Sequence, residues 1–174
     1  MLQEEKNQGE QYHINLAKLR AAKNFVTHPN PTTRNQAFEY FTELLSIDFE
    51  RDECWVGLGD CYFKGTSLVP ADENLALSFY QVGCHSLNET IATHARTQIH
   101  LITLNQIRAL LADQKLAESD VEAQYRIGLR NERGKGIPID KSDAILWYRK
   151  AAAQKHPAAR SLHLPILRSR LSDR

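Results

Sequence analysis

The sequence predicts an all-α protein in which successive antiparallel helix pairs wind into a right-handed superhelix of about seven to nine helices. Three observations carry that expectation. Apolar residues recur at i, i+3, i+4 and i+7 in several segments, the signature of one buried helix face. Glycine and proline punctuate the gaps between those segments. One pattern also returns along the chain: Gly59 and Gly128 lie in similar settings 69 residues apart, close to two periods of a roughly 34-residue repeat.

Taken in order, residues 1–10 are polar and unpatterned and read as a flexible tail. Residues 11–174 read as a single helical-repeat domain, with units at about 11–48, 50–86, 87–120 and 121–156 and a cap over 157–174. Ile14, Leu16, Ala17, Leu19, Ala21, Phe25 and Val26 suit a first helix that Pro29 and Pro31 end. Ala37, Phe41, Leu44 and Leu45 form the stripe of a second, started at Thr32 or Thr33. Trp55, Leu58, Gly59 and Tyr62 head the next unit. Gly65 closes their helix, Pro70 and Asp72 open another, and Ala76, Phe79, Tyr80 and Gly83 follow. The stretch 88–120 has neither glycine nor proline. It reads as a degenerate unit that has lost its turn, or one long helix near Asn88–Ala112, with Ile91, Ala95, Ile99, Ile102, Leu104, Ile107, Leu110 and Leu111 as candidate core.

From Val121 to Pro157 the pattern is densest. Tyr125 and Gly128 set up a helix, Gly134 and Gly136 end it, and Pro138 blocks continuation. Asp140 then caps a helix whose Ala144, Trp147, Tyr148 and Ala151 fall on one face. Trp147 is expected to pack fully within this stripe. At these residues the stretch resembles a Sel1-like repeat, a relative of the tetratricopeptide repeat. Trp55, Leu58, Gly59 and Tyr62 likewise reproduce the W-x-x-L-G-x-x-Y signature of tetratricopeptide first helices. The resemblance implies an α/α superhelix (solenoid) of about four such helix pairs with a C-terminal capping helix. Lys155 stands where the family often has Gly before His156, and Asn131 stands in place of the usual Tyr. Some secreted members staple neighbouring helix pairs through cysteines, but no cysteine follows Cys84 here. Cys54 and Cys61, seven residues apart on one helix, are separated by about 10.5 Å, beyond disulfide reach. All three read as small core hydrophobes.

Composition narrows the function classes. A net charge of +1 over 174 residues argues against a partner chosen by bulk electrostatics. No run approaches the roughly 18 apolar residues of a membrane span, and the N-terminus lacks the features of a signal peptide, so the expected location is cytoplasmic. The run Gly128–Gly136 has the wrong spacing for a phosphate-binding loop, and Gly136 stands where Ser or Thr should follow Lys135. The seven histidines show no metal-ligand spacing, and Asn88-Glu89-Thr90 reads as a helix cap rather than a glycan site. No nucleophile has a recognisable base beside it. No catalytic residue, metal or cofactor is expected.

The expected function is a non-enzymatic interaction module that holds a partner protein or peptide in a concave groove, with self-association a further option and no small-molecule substrate. Carried over residue by residue, the resemblance implies groove positions at Glu53, Val56, Asp60, Phe63 and Lys64. In the last unit it implies Glu122, Tyr125, Leu129, Glu132 and Arg133. The competing reading makes each of these an ordinary solvated helix face. The second function class is nucleic-acid or anionic-surface binding through the basic C-terminal segment, where Arg160, Arg168, Arg170 and Arg174 cluster.

Overall fold

Helix caps read from the sequence set most of the observed boundaries. In the computed structural model residues 2–162 are described, with side chains from Glu5 onward. The elements are α1 (Leu2–Phe25), α2 (Pro31–Ser46), α3 (Arg51–Lys64), α4 (Glu73–Gly83), α5 (Glu89–Leu116), α6 (Val121–Arg133) and α7 (Lys141–Ala153). A further helical stretch occupies 157–162, and no strand occurs among the described residues. Asn30 caps α2 through its side-chain oxygen on the Thr32 N–H, with Pro31 in the first turn. Asp72, Asp120 and Asp140 cap α4, α6 and α7 in the same way, each satisfying amides that the first turn leaves without a partner. Asn88 accepts from the Thr90 N–H ahead of α5.

Three expectations need correction or narrowing. The stretch read as a loose tail is the start of α1. Residues 5–14 are exposed, so helix there propagates outward from the packed turns at Asn15, Leu19, Ala22 and Val26. Its Glu, Lys and Gln residues favour that state without any core contact. The third unit is a single 28-residue helix, the long-helix alternative expected near Asn88–Ala112, so the units hold three helix pairs and one unpaired helix. Without glycine or proline nothing in 89–116 breaks the helix. Its buried stripe is the expected one only in part. Ala95, Ile102 and Leu110 are buried as expected, but Leu104, Ile107 and Leu111 are exposed and Gln106 and Asp113 are buried in their place. The two polar residues are inside because they have partners there. The segment 163–174, with Arg168, Arg170 and Arg174 and most of the expected cap, lies outside the described residues.

The chain divides into two compact units, Met1–Ile102 and Thr103–Arg174, with α5 giving its first half to one and its second half to the other. In the first unit, Leu19, Ala22 and Val26 of α1 meet Ala37, Phe41 and Leu44 of α2 and Cys54, Leu58 and Cys61 of α3. A second cluster joins Val56, Ala76, Tyr80, Ala95 and Ile102. Burial pushes the Cys54 and Cys61 thiols up to about 12, so both stay protonated and are poor nucleophiles at neutral pH. They are free, as is Cys84.

In the second unit α6 and α7 pack through Ala123, Ile127, Ala144, Tyr148 and Ala151. The later half of α5 is fastened to them by polar groups. Asp113 accepts from Arg126 Nε at 2.7 Å and from Arg130 Nε at 2.9 Å. Gln106 Oε1 accepts from the Gly136 N–H at 3.1 Å, and Gln124 Nε2 donates to the Ala117 carbonyl at 2.7 Å. Trp147 sits at the edge of the α7 stripe and is half-buried, with the Lys150 ammonium 4.1 Å from its ring centre. The fully buried positions are Ala144, Tyr148 and Ala151, which corrects the expectation of a fully packed Trp147.

Candidate binding groove

Each glycine of the recurring pattern makes room for a tyrosine from the second helix of its pair. A Cβ on Gly59 would lie 2.7 Å from the Tyr80 ring, and one on Gly128 would lie 2.6 Å from the Tyr148 ring. Each buried ring then sends its hydroxyl to a carboxylate on the first helix. Tyr80 donates to Asp60 Oδ1 at 2.7 Å, and Tyr148 donates to Glu132 Oε2 at 2.8 Å. Burial, then the neighbouring carboxylate, raises the pKa of both phenols, so both remain donors. Each pair is therefore locked by packing and by one charge-assisted hydrogen bond.

Beside the first of these pairs lies a cavity of about 270 Å³. Val26 and Thr27 at the end of α1, Phe41 of α2, Val56 and Gly57 of α3, and Thr90 and Ile91 of α5 line it, together with the charged groups Lys23, Glu53, Asp60 and His94. It exists because α3 is small at this point. Phe41 lies against Gly57, where a Cβ would come within 2.3 Å of the ring, and Val56 leaves the floor open. The carboxylates at its edge are engaged: Glu53 with Lys23, and Asp60 with His94 Nε2 at 3.1 and 3.2 Å. The hydrogen bond to the Asp60 carboxylate raises the His94 pKa, partly offset by burial.

Of the positions expected in the first-half groove, Glu53, Val56 and Asp60 come together at this cavity. Val56 is buried, as a floor residue, rather than solvent-facing. Phe63 packs against the core cluster around Tyr80, and the Lys64 ammonium reaches the Val26 carbonyl at 3.5 Å. The second unit is arranged differently. Tyr125 stacks on His156 with ring centres 4.3 Å apart and contacts Tyr148 at 5.6 Å. His156 Nδ1 accepts from the Ala159 N–H at 3.2 Å, which puts its proton on Nε2, 2.8 Å from Glu122 Oε2. Tyr125 and Glu122 thus hold the junction before 157–162. Leu129 is half-buried, while Glu132 and Arg133 are exposed. None of these five lines either cavity beside Trp147 in that unit.

The residues 56–85 and 121–156 match the family model of the Sel1 repeat. The chain carries Sel1 repeats. The first comprises most of α3 with α4, and the second comprises α6 with α7. Sel1 repeats generally mediate protein–protein interactions. Among solved structures, the chain is similar to a protective antigen of uropathogenic Escherichia coli strains that displays an SLR fold. The identity is 21%, over 86% of this chain and 32% of that one, with a TM-score of 0.39. It is also similar to a Sel1 repeat protein from Oxalobacter formigenes, at 20% identity over 94% of this chain and 97% of that one, with a TM-score of 0.31. The chain thus spans about a third of the length of the first. No helix among the described residues is long and apolar enough to cross a membrane.

Sequence reasoning missed His94, Lys23 and Ile91 at the cavity, and Asp113 with its two arginines. Asp113 carried a signal: an acidic residue in an apolar helix, followed by Arg126 and Arg130 spaced i, i+4 on the next helix. His94 carried a different one, its 34-residue separation from Asp60, one repeat length.

Proposed function

We propose that the chain is a non-enzymatic interaction module and that the cavity of the first unit holds part of an extended segment of a partner protein. The observation that carries this reading is the cavity itself. Side chains from α1, α3 and α5 enclose an apolar floor edged by paired charges, the arrangement expected of a site that anchors one apolar side chain and orients it by polar contacts. The Sel1 repeats support a protein partner.

Capture from a cell lysate tests the reading, with the bound protein identified and then remeasured in purified form. Thr90 is exposed at the cavity mouth, so Thr90→Trp should block entry without touching the core. Loss of capture by Thr90→Trp, with helix content unchanged, is the expected result. Full capture by Thr90→Trp, with loss on removing the residues after Pro165, would move the working surface to the basic C-terminal segment. Steep salt dependence would then point to phosphate contacts.

A further inference from the structure

Within the cavity Asp60 differs from Glu53 in how it is held. Its carboxylate is 19% exposed and is fixed from below by the hydroxyl of Tyr80, whose ring is fully buried over Gly59. From the cavity side it meets His94, on a ring that is 43% exposed. One partner is part of the core and cannot leave; the other is a surface imidazole that can swing away on its own rotamers. The ionisable groups facing His94 are Asp60 and Lys64 from α3, Lys23 from α1 and Tyr80 from α4. Glu53 is already matched by Lys23. Once His94 is neutral or displaced, Asp60 keeps the Tyr80 hydroxyl but loses its ion-pair partner, since the nearby Lys23 is engaged by Glu53 and Lys64 by the Val26 carbonyl.

We propose that Asp60 recognises a basic side chain, Lys or Arg, adjacent to an apolar residue seated in the cavity, and that His94 occupies this place until the ligand cation replaces it. The proposal rests on the groove reading above and names its ligand chemistry: an extended peptide segment with one apolar residue next to one basic residue. Ligand cation and imidazolium compete for the same carboxylate, so binding releases a proton from His94. Affinity therefore rises with pH only across the window between the ligand-bound and the ligand-free His94 pKa, by at most about tenfold per unit, and is level on either side. By reciprocity, saturating ligand lowers the His94 pKa.

The test uses the full chain and three probes: N-acetyl-Leu-Arg-amide, N-acetyl-Leu-Gln-amide and N-acetyl-Leu-Glu-amide. Methyl NMR signals of Val56 and Ile91 and the imidazole signal of His94 are followed from acid to neutral pH. The Arg probe should move both methyl signals and lower the His94 pKa, with the Gln and Glu probes at least tenfold weaker. Asp60→Asn, which can still accept from Tyr80, should erase the preference for Arg. His94→Gln should keep that preference and flatten the pH dependence. Equal binding of the Arg and Glu probes, or an unmoved His94 pKa at saturation, overturns the assignment and leaves the groove reading standing. If no probe moves the methyl signals although Thr90→Trp abolishes partner capture, the same separation holds. If Thr90→Trp has no effect either, both fail.

Discussion

The two Sel1 repeats share one lock and differ on the face beside it. In each, a glycine of the first helix receives a tyrosine of the second, which is held by a carboxylate. At the same 69-residue offset, however, Val56 and Gly57 of the first correspond to Tyr125 and Arg126 of the second. Small residues at that turn leave a cavity in the first unit. In the second, the Tyr125 ring covers the His156 junction and Arg126 binds Asp113. Both units also contain a carboxylate–histidine contact 34 residues long, but from different turns. Asp60 follows the lock glycine and edges the cavity, whereas Glu122 sits in the first turn of α6 and serves the junction. The repeat signature specifies a helix pair, and the residues between its positions specify whether that pair leaves a cavity.

The sharpest way to break this comparison is to remove the locks. Tyr80→Ala should cost about 3–5 kcal/mol and Tyr148→Ala somewhat less, because the acceptor of Tyr80 is mostly buried and that of Tyr148 is exposed. Hydrogen exchange along α3–α4 and α6–α7 reads the two separately, and equal small losses would mean the rings are not the locks. Asp113→Ala comes next, at about 3 kcal/mol, since it leaves two guanidinium groups without their buried acceptor. Adding Arg130→Met to Asp113→Ala should recover part of that loss, and no recovery would contradict the charge explanation. Trp147→Ala should cost about 2 kcal/mol, below the range for a fully buried Trp, and denaturant unfolding measures it. The smallest effect belongs to His94. Its raised pKa means the contact with Asp60 stabilises fully at acid pH and fades as pH rises through that pKa. His94→Gln should therefore lose a few tenths of a kcal/mol at acid pH and less above the His94 pKa, a small figure because nearly half of the side chain is in solvent.

How much of this was legible in the sequence follows from what each residue type can report. Glycine, proline and capping aspartates act locally, so the pairs α3–α4 and α6–α7 and their turns were readable. The role of Gly59 and Gly128 was readable too, because a missing side chain in an aromatic stripe implies close approach. The buried face of α5 was not: hydrophobicity favours Leu104, Ile107 and Leu111, and only tertiary partners explain why Gln106 and Asp113 are inside instead. The same holds at the cavity. Glu53, Val56 and Asp60 could be placed by the repeat register, whereas Lys23 and His94 arrive from α1 and α5 and depend on how those helices pack.

The central claim, that the first unit presents a site while the corresponding face of the second is filled, reduces to one comparison of partner capture. The purified partner is titrated against the wild type, Thr90→Trp, and the double variant Tyr125→Ala with Leu129→Ala, each first checked for helix content. The account predicts that Thr90→Trp weakens binding by at least tenfold and that the double variant binds within about threefold of wild type despite lower stability. Unimpaired binding by Thr90→Trp together with loss in the double variant would contradict it and place the site on α6.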